Sequence, residues 1–353
     1  MTFQISSLHG CKKRLTALLF AGLIITHSGC ANNAPEAEVS RGEDYLLNTY
    51  CTMTVYEAGR EALIGEAFAY ARSLENLLSR TIAGSEVTAV NQSPAGEAVA
   101  VSAETAAVLE RGLYYGALSG GLFDISVGAL TELWDFSSTD PRVPVRADID
   151  QALGTVGYQG IDLARDAEGA GAFVRKRLGG THIDLGGIAK GYIADRVKDF
   201  LESRGVRTAL INFGGNVVVL GGKADGTPWM VGLEKPFSPE DDGTGTRELS
   251  GEIAVTHGSV VTSGVYERKF EESGQVYHHI LDPATGFPRE SDLVSATIWG
   301  PSSADCDALS TLCLMLGLDA ALDLIEGLEL YEAIFIREDG GITATAGIRF
   351  TEY

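Results

Sequence analysis

Between Arg207 and Trp299 the apolar residues come in seven short runs, at 207–213, 216–220, 229–233, 251–256, 259–263, 276–281 and 293–299. Stretches of that length, rich in Val, Ile and Thr and bounded by glycine, read as strands that must pair with one another. Upstream the period lengthens to that of a helix. Ile64, Ala67, Phe68, Ala71, Leu74, Leu77 and Leu78 form one stripe over 60–79. Ser102 caps a second helix running to about Leu118 and stopped by Gly120-Gly121, and 188–203 is a third, stopped by Gly205. Tyr50–Tyr56 reads as a strand, and Ser302 opens a further helix with Asp305 in capping-box position. The pattern is that of a single α+β unit of roughly 300 residues with enough apolar content for one core. The segment 237–248, rich in Gly, Asp and Thr, is a surface insertion. The 43 glycines exceed average usage and fall in pairs between apolar runs, as tight turns and close backbone approach to a ligand require.

The first residues are an address. Lys12, Lys13 and Arg14 precede an apolar run from Leu15 to Ile25, followed by Ser28-Gly29-Cys30. A run of that length is a secretory h-region and falls short of the ~20 residues of a membrane span. Cysteine after Ser-Gly resembles a bacterial lipoprotein processing site, although His27 stands where leucine is usual. The expected division is a leader over 1–29, a lipidated Cys30, a polar tether over 30–43 and a catalytic domain over 44–353, on the periplasmic side of a membrane. Of the remaining cysteines, Cys306 and Cys313 lie seven apart on a helix, roughly 10 Å along its axis, too far for a disulfide. With Cys51 they read as buried apolar residues. The net charge of −21 disfavours a nucleic-acid partner.

Four stretches carry chemistry. In Asp184-Leu-Gly-Gly-Ile-Ala-Lys-Gly-Tyr192, a strand-like segment ends in two glycines and a helix starts at once. Free N–H groups there favour an anion such as phosphate, although the pattern alone is equally a tight turn. In Asp307-Ala-Leu-Ser310-Thr311, helical spacing puts three oxygens on one face. Such a face suits a hard cation like Mg²⁺, or is simply solvated. His278-His279-Ile-Leu-Asp282-Pro-Ala-Thr-Gly286 combines a turn, in which Asp282 bonds local backbone, with a histidine able to accept a proton. Only one of the two adjacent histidines can face a site. Gly121-Leu-Phe-Asp-Ile-Ser-Val-Gly128, leading to Leu133-Trp-Asp-Phe136, suits a planar apolar ligand or a core turn.

In this order, with Val156-Gly-Tyr-Gln159, Asn212–Asn216, Val261-Thr-Ser-Gly264 and Leu293-Val-Ser295, the stretches resemble the ApbE family of FAD:protein FMN transferases from about Tyr45 onward. The resemblance implies a T-fold-like core with mixed or antiparallel sheets, flanking helices and FAD held between lobes. It implies Mg²⁺-dependent transfer of FMN from FAD to a threonine of a partner, with AMP released. The partners would be flavin-bearing subunits of membrane redox complexes or related extracytoplasmic electron carriers. Metal ligands fall on Asp307, Ser310, Thr311 and the backbone oxygen of Gly187, with Ser310 replacing a second acid found in some members. FAD contacts fall on Leu47, Leu122, Phe123, Asp124, Asp184, Lys190 and Leu281. Thr81 stands where the family's Ser-Arg-Tyr carries a stacking ring. His279 is the implied base, with Asp307 the other catalytic residue. The rival readings are an FAD pyrophosphatase on the same site, a non-catalytic flavin-binding lipoprotein, and a solute-binding lipoprotein of transport.

Overall fold

The computed structural model describes residues 39–167, 169, 171–238 and 248–353. In chain order the elements begin with β1 (Ser40–Leu46), β2 (Thr49–Val55), α1 (Glu61–Leu78), α2 (Glu86–Gln92), β3 (Ala98–Ser102) and α3 (Ala103–Leu118). There follow α4 (Gly128–Trp134), α5 (Arg146–Leu153), β4 (Ile161–Arg165), β5 (Gly171–Lys176), α6 (Ala189–Ser203), β6 (Ala209–Phe213), β7 (Asn216–Leu220), β8 (Trp229–Glu234) and β9 (Leu249–Val255). The rest are β10 (Gly258–Gly264), β11 (Lys269–Glu272), β12 (Gln275–His278), β13 (Leu293–Gly300), α7 (Ser303–Leu316), α8 (Leu318–Glu326), β14 (Glu332–Arg337), β15 (Ile342–Ala344) and β16 (Phe350–Glu352).

Eight strands form one antiparallel sheet in the order β1-β2-β6-β7-β10-β13-β14-β15. Side chains alternate between its faces. Cys51, Met53, Phe213, Val218, Val261 and Ile298 share the main core with the inner stripes of α1, α6 and α7. Val219, Val260 and Ile334 face the other way, against Trp229, Leu233, Ile253 and Val255 of the small sheet β16-β9-β8. The large sheet is thus sandwiched, which is why its strands read as continuous apolar runs. The sheet β3-β5-β4 and the helices α2 and α3 close the same main core. A third cluster, around Leu130, Trp134, Ile149 and Leu281, takes in Phe270 and Tyr277 of the β11–β12 hairpin.

The helix stripes and caps are as expected. Ser102 accepts from the Thr105 N–H at 3.3 Å and Ser302 from the Asp305 N–H at 3.2 Å. The Ser302–Asp305 capping box is only half made, because the Asp305 carboxylate is taken by Arg111 and by the hydroxyls of Tyr115 and Tyr331. Asp195 of α6 finishes the cap instead, accepting from Ser303 N at 2.9 Å and Ala304 N at 3.0 Å. Two expectations are corrected. Residues 40–43, expected in the tether, are the first four of β1, because their backbone pairs with 52–55 of β2. The strand expected over 276–281 ends at His278, where the Asp282 turn pulls the chain away. The leader, Cys30 and most of the tether lie outside the described residues, as does most of the 237–248 insertion. Cys51, Cys306 and Cys313 are free and buried.

Candidate active site

The helices α6 and α7 touch at Gly191, where an added Cβ would stand 2.1 Å from the Ser303 carbonyl oxygen. Only glycine allows that approach. It brings the Gly191 N–H to the Asp307 carboxylate, a bond of 3.0 Å between residues 116 apart in sequence. An anion does sit at the start of α6, as the sequence suggested, but here it is the protein's own carboxylate. Asp307 is 2 % exposed. Burial pushes its carboxyl up, while Lys190, the Gly191 N–H and Asn216 pull it down. A buried acid with one backbone donor and a lysine within electrostatic reach is poised for a cation.

Around it stand hydroxyls. Ser310 donates to the Asp307 carbonyl oxygen at 2.9 Å and lies 2.8 Å from Ser263 Oγ, so its hydroxyl is already engaged on both sides. Thr311 Oγ1 is less committed, with one contact to Ser263 Oγ at 3.4 Å. Gly187 adjoins it: a Cβ there would meet Thr311 Oγ1 at 3.6 Å and the Phe123 ring at 3.1 Å. Asp307, Ser310, Thr311, Gly187, Phe123 and Lys190 therefore form one constellation. No group of three or more His, Cys, Asp or Glu among the described residues suits a metal. A cation here would rest on one carboxylate, hydroxyl and carbonyl oxygens, and oxygens of its substrate. Mg²⁺ accepts that donor set.

His279 lies at the end of the β11–β12 hairpin. Its Nδ1 is 3.2 Å from the Arg268 carbonyl oxygen. A carbonyl only accepts, so Nδ1 carries the proton and Nε2 keeps a lone pair. Burial, with Arg268, His278 and Lys190 adding to it, drives its pKa down to about 3. It is a neutral imidazole at physiological pH. His278 is also pushed down by burial, and its Nδ1 accepts from the Ile280 N–H. The exposed Glu267 carboxylate lies within electrostatic reach of Lys190, Arg268 and Asp307.

The other residues divide. Asp184 accepts from Thr131 Oγ1 at 2.7 Å and the Gly186 N–H at 2.8 Å, and pairs with Arg80 Nε at 3.0 Å. It fixes the glycine turn and ties it to the loop carrying Thr81, whose exposed side chain reaches only Ser79 Oγ at 3.1 Å. Asp124 turns inward: Ser126 N and Oγ and Tyr158 N saturate its carboxylate, whose pKa burial nonetheless raises. Leu122 is half-buried against the main core, whereas the Leu281 side chain is buried in the third cluster, facing Trp134 rather than Asp307. Leu47 and Asn48 form the β1–β2 turn with φ of 56° and 55°, and Glu75 holds the Leu47 N–H at 2.7 Å. Asp282 is structural as expected, accepting from the Ala284 N–H and pairing with Arg289 at 2.7 Å. Hollows of about 470 Å³ beside Asp44 and Arg72, and about 200 Å³ beside Lys198 and His257, include none of these residues.

Sequence reasoning quoted the segments holding Ser263 and Asn216 without giving either a role, and passed over Glu267 and Arg268 altogether. Ser263 had a signal: on β10 it shares the inward face of Val261 two residues earlier. Asn216 is 0 % exposed, and neither amide atom makes a hydrogen bond of ordinary geometry among the described residues. Such a group costs about 1–3 kcal/mol unless something satisfies it.

The model of the ApbE family matches residues 47–335. The FAD:protein FMN transferase of Treponema pallidum is 35% identical over 332 residues, 90% of each chain. That of Klebsiella pneumoniae is 35% identical over 282 residues, 80% of this chain and 84% of its own. Among solved structures, the ApbE protein of Thermotoga maritima superposes with a TM-score of 0.77 at 30% identity, covering 88% of this chain and 97% of its own. The flavinyl transferase ApbE of Pseudomonas stutzeri gives 0.75 at 29% identity over 88% and 95%.

Proposed function

This chain belongs to the ApbE family, and from that premise we propose that it transfers FMN from FAD to a threonine of an acceptor flavoprotein, with Mg²⁺ bound and AMP released. The observation that carries the reading is the buried Asp307 carboxylate, gripped by the Gly191 N–H, within reach of Lys190 and beside the hydroxyls of Ser310 and Thr311. Asp307, Thr311 and the Gly187 carbonyl would hold the metal, which supplies charge neutralisation at the pyrophosphate. Lys190 adds a second positive charge there.

In the transfer, the threonine oxygen forms a bond to the FMN-side phosphorus and the bridging P–O bond breaks, leaving AMP. Nε2 of His279 takes the hydroxyl proton, because the Arg268 carbonyl fixes the opposite tautomer. Desolvation is the main cause of its low pKa, and Arg268 and Lys190, which add to it, carry the positive charge that a bound pyrophosphate would offset. Phe123 lies against Gly187 and offers an apolar wall beside the phosphates.

A second reading, hydrolysis of FAD to FMN and AMP, is favoured by one feature: the small, exposed Thr81 offers no stacking ring, so FAD would be held less firmly. Incubating the protein with FAD, Mg²⁺ and a candidate acceptor domain separates the two. A covalent FMN adduct in the acceptor's mass supports transfer, whereas FMN and AMP in solution with an unmodified acceptor overturn it. The acceptors we propose are extracytoplasmic flavin carriers, including subunits of membrane redox complexes. Among the described residues no helix is long and apolar enough to cross a membrane. From the basic cluster, apolar run and Ser28-Gly29-Cys30 of the sequence, we propose anchoring on the periplasmic side through a lipid on Cys30 as the way the enzyme meets them.

A further inference from the structure

The turn between β6 and β7 is built to deliver one side chain. Gly214 and Gly215 take φ of 58° and 91°, and Asn212 Oδ1 accepts from the Gly215 N–H at 3.1 Å. Asn216 follows as the first residue of β7, between Phe213 of β6 and Val261 of β10 in the middle of the sheet. Alternation puts its side chain on the face of Val218 and Leu220, toward the α6–α7 layer. A strand face otherwise made of Val218 and Leu220 thus carries a single amide, fully buried, whose nitrogen and oxygen both lack partners among the described residues. Native proteins seldom leave such a group unsatisfied.

What it faces is Asp307. The amide is close enough to favour the ionised carboxylate, though not placed in a made hydrogen bond. An amide has a donor end and an acceptor end. The donor end suits a carboxylate; the acceptor end suits a hard cation, for which side-chain carbonyl oxygens are ordinary ligands. We infer that Asn216 is a further member of the cation site, turning its amide nitrogen to Asp307 and its oxygen to the metal or to a water on it. The inference rests on the reading of Asp307 as a cation ligand and deepens it.

The test is thermal unfolding of the whole protein with Mg²⁺ alone, without FAD. A cation bound only by the folded state raises the unfolding temperature in proportion to its affinity. Wild type should show that rise. Asn216→Leu, similar in volume, should need at least tenfold more Mg²⁺ for the same rise. Asn216→Asp should need less Mg²⁺ than wild type and be less stable without metal at neutral pH, where two carboxylates are buried together. If wild type ignores Mg²⁺, the cation reading falls and this inference with it. If wild type responds and Asn216→Leu responds equally, Asn216 alone is misassigned. Should Asn216→Leu not fold, an unchanged Mg²⁺ response in Asn216→Asp refutes the assignment.

Discussion

Replacing Gly191 with alanine sets two effects of opposite sign against each other. In a helix interior alanine is favoured over glycine by about 1 kcal/mol, so an open site would gain. At Gly191 the new Cβ would lie 2.1 Å from Ser303 O, 2.5 Å from Ser303 C and 2.8 Å from Ala304 Cα. All three are backbone atoms of α7, so no rotamer change relieves them. Ordinary contact begins at 3.4 Å, and α6 and α7 must part by about 1.3 Å (3.4 − 2.1). An opening of that size along the 3.0 Å bond from Gly191 N–H to Asp307 breaks it. Overpacking costs about 1–3 kcal/mol, and a lost hydrogen bond to a charged group about 1.5–3 kcal/mol. Against the helix-propensity gain, the net loss is about 1.5–5 kcal/mol, a large share of a typical folding stability. Urea unfolding measures it directly. Gly65, in α1 with nothing within 4 Å of its would-be Cβ, is the control. Gly65→Ala should be as stable as wild type or up to about 1 kcal/mol more so. If Gly191→Ala behaves like Gly65→Ala, the close α6–α7 contact and the origin of the Asp307 bond are wrong.

Other perturbations test separate parts of the site. The His279 pKa of about 3 lies below the ordinary 6.5, so between those values the folded protein binds fewer protons than the unfolded chain. Stability should therefore fall as pH drops from 6.5 toward 3, and His279→Gln should move the acid-unfolding midpoint to lower pH. An unchanged midpoint contradicts a half-buried, neutral imidazole. Thr81→Tyr should tighten FAD binding roughly fivefold, about 1 kcal/mol of aromatic contact, without raising kcat. Equal fluorescence titrations without Mg²⁺ would mean that Phe123 or another side chain already supplies the stacking surface. Cys30→Ser should release the protein from membranes into a soluble extracytoplasmic pool, and unchanged partitioning would place the anchor elsewhere.

What could be read from the sequence was whatever is decided within a few residues. The apolar stripe of α1, the caps Ser102 and Ser302 and the Asp282 turn follow from local spacing, because the interacting groups are three or four positions apart. The order of motifs was enough to identify the family, and the helical face of Asp307 and Thr311 needed only the period of a helix. The short strands β3, β4 and β5 were missed, since runs of five or six residues with exposed positions such as Phe173 lack a clear alternation.

Tertiary structure decided what each polar group does. Asp124 saturates its oxygens on nearby Ser126 and on Tyr158, while Asp307 meets Gly191 across two helices. Asp305, expected to close a capping box, is drawn to Arg111, 194 residues away. Nothing near Asp305 or Asp307 in the chain foretells these partners. A carboxylate takes whichever donors packing brings to it, and the packing here is fixed by the glycine at which α6 and α7 touch. The unsatisfied amide of Asn216 is the same lesson in reverse: its sequence shows only a polar residue after a turn, and burial beneath α7 makes it a candidate ligand.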